Sequence, residues 1–331
     1  ENMIYFISSD SNIYGLNANN GRKKWEYTTK GEKRFQKEGL YGFNNSNKPI
    51  IDEWDLFHSS PLIYKERVIV GGGDHYIYGL DAKDASLMFR FVANEIVHAS
   101  ITGAYGHVFI GSWDGFIYAL EAISGVEVWR QNVGLDSVDY KLQGIQGTPA
   151  AADSLLIVPS RDSNLYALDI VSGDIVWKYA NDSSRILSSP AIADGKVYFT
   201  TFDDFALKCL DIQTGKLLFE SNTGAFNMGS PVIAGDNLIL TTLLGEVQIY
   251  NRFSGEKIWQ WRTETSQNDP NDIVTPEGSL DLAKIFPSDD YDDFKAGINK
   301  ILSNGAIVSQ PVVYGDLLYI TSTDSTLYVL E

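Results

Sequence analysis

The chain has 331 residues, of which 44% are apolar, enough to bury a large core. Its 26 Lys and Arg residues stand against 43 Asp and Glu residues, a net charge of −17. That charge argues against nucleic acid or an anionic membrane surface as a partner, because both are bound through basic surfaces.

Targeting segments are not visible in the sequence. The first five residues, ENMIY, carry no basic segment ahead of an apolar stretch, so a signal peptide has been removed or never existed. No apolar run approaches the ~18 residues of a membrane span, so we expect no transmembrane segment. A lipid anchor, if the protein carries one, lies outside this chain. Cys209 is the only cysteine, which excludes an internal disulfide and a multi-cysteine zinc site.

One pattern recurs along the whole chain: an apolar strand, a Ser/Gly/Asp turn, a strand ending near Tyr-x-Leu-Asp, and then a glycine and an aromatic residue. Taking the position five before the glycine as the anchor, the copies lie at Leu16, Leu80, Leu120, Leu168, Leu210, Tyr250 and Leu330. The unit of about 40 residues is typical of one four-stranded propeller blade. We therefore predict an all-β fold, a seven-bladed β-propeller of four-stranded antiparallel blades in one domain over residues 1–331, with eight blades as the alternative. The first and last blades, each incomplete, are expected to meet where the ring closes.

The turn between the third and fourth strands of each copy carries the most regular residues. A glycine precedes an aromatic residue by four positions in the pairs Gly21 and Trp25, Gly125 and Trp129, Gly173 and Trp177, Gly215 and Phe219, and Gly255 and Trp259; Ala85 and Phe89 form a degenerate copy. Glycine suits a turn with positive φ. The aromatic side chain is expected to pack against the next blade, and the alternative, stacking on a cofactor, is less favoured because the residue repeats in nearly every copy.

Aspartates recur in the turn between the second and third strands, at Asp10, Asp74, Asp114, Asp162, Asp204 and Asp324. A series of carboxylates could indicate a metal site. Aspartate side chains also bond the backbone of their own turns, and this structural role is the prediction we favour.

Three segments exceed the base unit: residues 30–58, 134–146 and 264–308. Each falls between the fourth strand of one blade and the first strand of the next, so we expect all three on one face. The third precedes the last blade, and residues 280–286 and 294–302 have helical apolar spacing, which predicts a helical insertion. Long loops on a rigid scaffold usually carry binding, so this face is the predicted site of a partner.

Several side chains at this face are candidates for partner or ligand binding. Trp54 in the first insertion and Trp113 in a turn are candidate contact anchors, although packing of the insertion on the blades is an equally open explanation. Tyr41 and Phe43 belong to the same insertion. His58, His98 and Gln146 occupy equivalent positions at the entrance to the first strand of their blades. A metal held by the two histidines would need a third ligand that the sequence does not specify, so no metal site is predicted.

The repeat Asp-x-x-Ile/Leu-Tyr-Ala/Gly-Leu-Asp-Ala-x-Ser/Thr-Gly-x-x-x-Trp, clearest over residues 114–129 and 162–177, resembles that of the pyrroloquinoline-quinone (PQQ)-like β-propellers. One branch of that family consists of eight-bladed quinoprotein dehydrogenases that bind PQQ and Ca²⁺, and these typically add an adjacent cysteine pair that this chain lacks. The other branch is non-catalytic and includes BamB-like envelope proteins. Chain length, the lone cysteine and the plain repeats fit the second branch better.

The resemblance implies a non-catalytic, extracytoplasmic β-propeller, in the periplasm or at the cell surface, that acts as a protein-binding adaptor or scaffold of the cell envelope, without a cofactor. A PQQ-dependent oxidoreductase using the central funnel and a small-ligand or peptide sensor are the alternatives. The sequence contains no Gly-x-Ser-x-Gly, His-Glu-x-x-His or phosphate-loop motif that would favour another enzyme class.

Overall fold

A computed structural model describes residues 2–43, 48–134, 143–181 and 184–331. The chain forms two compact units, Glu1–Lys178 and Tyr179–Glu331. That residues 1–331 make a single domain stays a prediction. Residues 135–142 of the second predicted insertion lie outside the described residues, as do residues 44–47 of the first.

The strands of the first unit form antiparallel sheets in which neighbours in sequence are neighbours in space. The first sheet has three strands, β1 (Met3–Ser8), β2 (Asn12–Asn17) and β3 (Lys23–Thr28). A short pair follows, β4 (Gln36–Lys37) and β5 (Ile50–Ile51), with a 3₁₀ turn at Leu40–Gly42 between them. Three four-stranded sheets come next: β6 (Leu62–Tyr64), β7 (Arg67–Gly71), β8 (Tyr76–Asp81) and β9 (Leu87–Val92); β10 (Thr102–Ala104), β11 (His107–Gly111), β12 (Phe116–Glu121) and β13 (Glu127–Asn132); β14 (Ala150–Ala152), β15 (Leu155–Pro159), β16 (Asn164–Asp169) and β17 (Ile175–Ala180).

The second unit, which begins within β17, continues the same pattern. Its four-stranded sheets are β18 (Ala191–Ala193), β19 (Lys196–Thr200), β20 (Ala206–Asp211) and β21 (Leu217–Asn222), then β22 (Val232–Ala234), β23 (Asn237–Thr241), β24 (Glu246–Asn251) and β25 (Lys257–Arg262). The helices α1 (Glu264–Asn268), α2 (Leu282–Ile285) and α3 (Tyr291–Ser303) follow. A three-stranded sheet ends the chain: β26 (Val312–Tyr314), β27 (Leu317–Thr321) and β28 (Leu327–Leu330).

Seven successive antiparallel sheets confirm the predicted fold class, a seven-bladed β-propeller with a helical insertion before the last blade. Five blades have four strands, whereas the first and last have three. That these two blades meet where the ring closes stays a prediction. Helices α2 and α3 overlap the two segments that the apolar spacing marked as helical, and Asp290 caps the start of α3 by accepting a hydrogen bond from the Asp292 N–H. No helix among the described residues is long and apolar enough to cross a membrane.

In the four-stranded blades the second and third strands are almost entirely buried, as in HVFIG of β11 and FIYALE of β12, while the fourth strand is largely exposed. Neighbouring blades share apolar clusters within each unit: Ile69, Ile77 and Phe89 pack with Ile110 and Leu120 of the next blade. Fully burying one such aliphatic side chain stabilises the folded state by about 1.5–3 kcal/mol. The core therefore lies mainly between blades.

The glycine of the turn before each fourth strand has positive φ, between 66° and 79°, at Gly21, Gly125, Gly173, Gly215 and Gly255. Three of these glycines also make room for an aromatic ring of the preceding blade. A Cβ on Gly125 would lie 2.2 Å from the Phe89 ring, and a Cβ on Gly173 would lie 2.7 Å from the Trp129 ring. Gly255 is placed in the same way against Phe219. The Trp25 indole donates a hydrogen bond to the Ala82 carbonyl of the next blade. Trp177 is half-buried and Trp259 is exposed.

Most of the recurring aspartates hold their own turn together. In the third blade, Asp114 accepts the Phe116 N–H at 2.9 Å and the Tyr118 hydroxyl at 2.5 Å. The same arrangement, an N–H two residues on and a tyrosine hydroxyl four residues on, recurs at Asp10, Asp74, Asp162 and Asp324. Asp204 differs, because Lys208 replaces the tyrosine and lies 3.4 Å from its carboxylate. These contacts are those of structural aspartates.

Candidate functional site

In the first unit, residues of the first insertion, residues 30–58, combine with residues of the blades to form two groups of polar and charged side chains. We call Tyr41, Asp52, Gln146 and Arg161 the arginine network, and Glu32, Asp55, His58 and His98 the histidine cluster. Residues 52–55 are buried, so this part of the insertion lies in the interior of the unit. The described end of the second insertion meets the first, because Gln143 accepts a hydrogen bond from the Lys37 ammonium group.

The arginine network centres on a buried ion pair. One Arg161 nitrogen lies 2.6 Å from Asp52 Oδ2, and both side chains are inaccessible to solvent. A second donates to Gln146 Oε1 at 2.6 Å, and Gln146 in turn donates to the Trp54 carbonyl. Asp52 Oδ1 accepts from the Tyr41 hydroxyl at 2.5 Å and from the Trp54 N–H at 2.8 Å. Every carboxylate oxygen of Asp52 therefore has a partner, as a buried charge requires.

Trp54 and Trp113 do not form the exposed contact surface that the sequence suggested. Their side chains are 1% and 0% exposed, which corrects that expectation in favour of the packing explanation. The Trp113 ring lies between Phe35, with ring centroids 4.6 Å apart, and the Arg161 guanidinium, 4.2 Å from the ring centroid. A large ring in a turn is therefore buried because an inserted segment covers it. Phe43 is half-buried and lies near the Tyr41 ring.

The histidine cluster is built where two blades begin. His58 precedes β6, His98 precedes β10, and Glu32 lies in the loop after β3. Glu32 Oε1 lies 2.7 Å from His98 Nε2 and 3.2 Å from His58 Nδ1. On the other side of the ring, His98 Nδ1 lies 2.6 Å from Asp55 Oδ1. The two histidines that the sequence placed at equivalent positions therefore meet, through an acid that the sequence did not single out.

Backbone groups hold the two acids of the cluster in place. Both oxygens of Glu32 lie 3.0 Å from the Gly73 N–H. A Cβ on Gly73 would come within 2.6 Å of the Glu32 carboxylate, so glycine is required for this approach. Asp55 Oδ2 accepts the Phe35 N–H at 2.7 Å.

The cluster shifts the ionisation of its members in opposite directions. Burial opposes ionisation of Glu32, but hydrogen bonds from His58, His98 and the Gly73 N–H outweigh it and lower the pKa of Glu32 to about 2. Burial likewise opposes protonation of His98, but hydrogen bonds and charge from Asp55 and Glu32 raise the pKa of His98 to about 9. At neutral pH, and without a bound ion, His98 is an imidazolium between two carboxylates.

A cavity of about 240 Å³ opens onto the cluster. Its walls are Ser9, Glu32, Lys33, Arg34, Asp55, Leu56 and His58. The His58 side chain is 32% exposed, whereas those of His98 and Asp55 are 1% and 0% exposed. His58 is therefore the most exposed member of the cluster, and Glu32 and Asp55 border the same cavity.

Of the eight residues in these two groups, the sequence alone pointed to four: Tyr41, His58, His98 and Gln146. It did not point to Glu32, Asp52, Asp55 or Arg161. One signal was available for Arg161: it precedes Asp162 in a turn, at the position that Trp113 holds before Asp114. An arginine and a tryptophan at matching turns of successive blades can stack, as they do here. No comparable periodicity marks Glu32.

The donor set does not fit the quinone-bound Ca²⁺ of the enzymatic branch. Calcium takes oxygen ligands. The group of described residues that could hold a metal ion, Glu32, His58 and His98, offers two imidazoles and one carboxylate. Cys209, the only cysteine of the chain, is buried and cannot form the adjacent cysteine pair of that branch.

Comparisons with known proteins agree with the fold. The structure superimposes on the crystal structure of BamB from Moraxella catarrhalis with a TM-score of 0.70 at 20% identity, covering 99% of this chain and 81% of that one. The outer membrane protein assembly factor BamB of Yersinia pestis is 22% identical over 96% of this chain and 79% of its own length. The quinohemoprotein alcohol dehydrogenase ADH-IIG of Pseudomonas putida is 28% identical over 46% of this chain and 24% of its own.

The family profile that matches is described as outer membrane protein assembly factor BamB, and it aligns with residues 51–141 and 113–280. These ranges contain blades two to six, including the turns with the recurring glycines and aspartates. Since the profile covers more than half of the sequence, the chain belongs to this BamB family of PQQ-like repeat β-propellers.

Proposed function

We propose that this protein is a non-catalytic adaptor that binds a protein partner of the cell envelope, outside the cytoplasm. The observation that carries the proposal is the family match, together with an alignment to an outer membrane protein assembly factor over 96% of this chain. An assembly factor acts on other proteins, so the partner class that follows is a component of the outer-membrane assembly machinery.

The first insertion offers a surface suited to such a partner. With Trp54 and Trp113 buried, Ile51 of β5 is an apolar residue of this insertion that is turned outward, with 41% of its surface exposed. Gln36, which faces Ile51 across the β4–β5 pair, and Lys48, three residues before it, are both exposed. An apolar centre within a polar rim is the usual composition of a protein interface. The buried arginine network beneath fixes the segment, which lowers the entropy lost on binding.

The test compares two surface substitutions of the same kind. The tagged protein is cross-linked in the host envelope and the captured proteins are identified by mass spectrometry. Ile51→Lys is expected to reduce capture of assembly-machinery components at least tenfold, since it places a charge at the centre of the surface. Val171→Lys, at an equally apolar site 77% exposed in a turn of the fourth blade, is the control and should leave capture unchanged. Equal capture by both variants, or no assembly component captured by the wild type, contradicts the proposal.

Periplasmic location follows from the same proposal and is tested by fractionating cells that express the full-length protein. A lipid anchor outside this chain stays a prediction. The oxidoreductase alternative has weaker support, because the dehydrogenase alignment covers only 46% of this chain. Dye reduction by the purified protein after addition of PQQ and Ca²⁺ would favour that alternative. Binding of a peptide or small ligand, with no protein captured, would favour the sensor.

A further inference from the structure

The strongest unexplained feature is the histidine cluster, which the adaptor role does not use. One donor atom each from Glu32, His58 and His98 lies within 4.8 Å of the others. Zinc binds imidazole nitrogen and carboxylate oxygen at about 2.0–2.2 Å, which in tetrahedral geometry places neighbouring donors about 3–3.5 Å apart. Small side-chain movements therefore bring all three donors onto one ion. We propose that Glu32, His58 and His98 form a binding site for a divalent transition-metal ion of the zinc class.

Asp55 supplies the outer support that such sites usually have. A histidine that binds a metal through one nitrogen commonly donates the hydrogen on the other to a carboxylate, which fixes the ring and its tautomer. His98 Nδ1 lies 2.6 Å from Asp55 Oδ1, so the proton stays on Nδ1 and Nε2 is the nitrogen that faces Glu32. The Phe35 N–H holds Asp55 from behind. Asp55 is accordingly a positioning residue and not a ligand.

Charge balance also favours a divalent ion. The cluster places two acidic side chains, Glu32 and Asp55, in a region where they are only 3% and 0% exposed. A divalent ion with neutral histidines cancels the two carboxylate charges. Two positively charged side chains, Lys33 and Arg34, line the cavity and lower its affinity for a metal ion. The Arg34 guanidinium is already bonded to the Asp52 and Asp55 carbonyls and to Glu53.

The ion can enter and keep an open position. The cavity reaches Glu32 and His58 directly, and the partly exposed His58 ring forms its edge. Three protein ligands leave a fourth position for water or for a group of another molecule. Two imidazoles select zinc-class ions over Ca²⁺ and Mg²⁺, which prefer oxygen.

The test uses the whole chain freed of metal with a chelator. Zn²⁺ is titrated in competition with a chelating dye, and Co²⁺ is added separately so that its visible spectrum reports nitrogen and oxygen ligation. We expect each chain to bind one Zn²⁺ ion tightly, and we expect bound Co²⁺ to give a visible absorption spectrum typical of nitrogen and oxygen ligands. His58→Ala should weaken Zn²⁺ binding at least tenfold and abolish the spectrum. Asp55→Asn should weaken binding about 10–100-fold, the usual cost of losing an outer-shell carboxylate.

The matched control is His75→Ala, which removes another histidine, bonded to the Asn94 carbonyl away from the cluster, and should leave Zn²⁺ affinity unchanged. His58 is partly exposed, so its variant is expected to fold even if substitutions at buried Glu32 or His98 do not; thermal unfolding checks this. Absence of stoichiometric Zn²⁺ binding by the wild type overturns the proposal. Equal affinities of the wild type and His58→Ala overturn it as well, since the ion would then bind elsewhere.

Discussion

The arginine network and the histidine cluster both involve the first insertion, yet they differ in how their charges are satisfied. In the network, one guanidinium meets one carboxylate, and tyrosine, glutamine and backbone groups supply the other hydrogen bonds, while the buried Arg161 Nε has no partner among the described residues. In the cluster, two carboxylates share one buried imidazolium, and a second histidine faces a cavity. The first group is closed and balanced; the second is open and carries excess negative charge.

This difference separates a structural role from a binding role. A closed, paired network holds the insertion in one conformation, and breaking it leaves an unpaired buried charge. An open cluster with unequal charges gains from a further ligand. The two groups are joined through residues 52–55, so the network also keeps Asp55 beside His98. The arginine network thus has a structural role, whereas the histidine cluster is suited to binding.

The largest effect is expected where the network meets the blades. Trp113→Ala should lower the free energy of unfolding, measured in urea, by about 3–5 kcal/mol, because it empties the space between Phe35 and Arg161. Trp259→Ala is the matched control: the same change at an exposed ring should cost clearly less. Equal losses would contradict the buried placement. A stable Trp113→Ala variant that no longer captured its partner would instead favour the contact role expected from sequence.

The charge of the network is tested by Arg161→Ala. The variant leaves Asp52 buried without its cation, a change that typically costs about 3–5 kcal/mol. We expect the lower end of that range in urea unfolding, since Asp52 can take up a proton. Arg130→Ala removes an arginine from an exposed pair, 3.6 Å from Glu127, and should cost less than about 1 kcal/mol. Similar losses for the two variants would show that the network is not the closed, balanced group described above.

The sequence was sufficient to predict the blades because each blade is local. Strands pair with their sequence neighbours, so apolar alternation and the repeated glycine and aspartate turns specify the whole sheet. The repeat also contains a tyrosine four residues after the aspartate, as at Asp114 and Tyr118, but the hydrogen bond by which it closes most of the turns was not predicted. It repeats with the same period as the rest of the blade.

The interior of the insertion was not predictable in this way. Asp52 and Arg161 are 109 residues apart, and their contact depends on a loop conformation that no periodicity encodes. The sequence could place His58 and His98 at equivalent strand entrances, but the acid between them comes from a third position in an irregular loop. Trp54 looked exposed because it lies in a long insertion, whereas that insertion turns inward and buries it.

The smallest expected effect is the pH dependence that the histidine cluster gives to the free energy of unfolding of the metal-free protein. The folded-state pKa of His98 is about 9, above its ordinary 6.5, so its stabilising contribution is complete below pH 6.5 and is lost as pH rises through 9. The pKa of Glu32 is about 2, below its ordinary 4.5, so its contribution is present above pH 4.5 and is lost as pH falls through 2.

Urea unfolding between pH 5 and 10 of chelator-treated protein measures the alkaline limb. One pKa unit is worth about 1.4 kcal/mol, so the His98 contribution between pH 6.5 and 9 amounts to no more than about 3–4 kcal/mol. His98→Gln should remove this decline, whereas His75→Gln, which changes a histidine outside the cluster, should retain it. An unchanged slope in His98→Gln would mean that the imidazolium is not held between the two carboxylates.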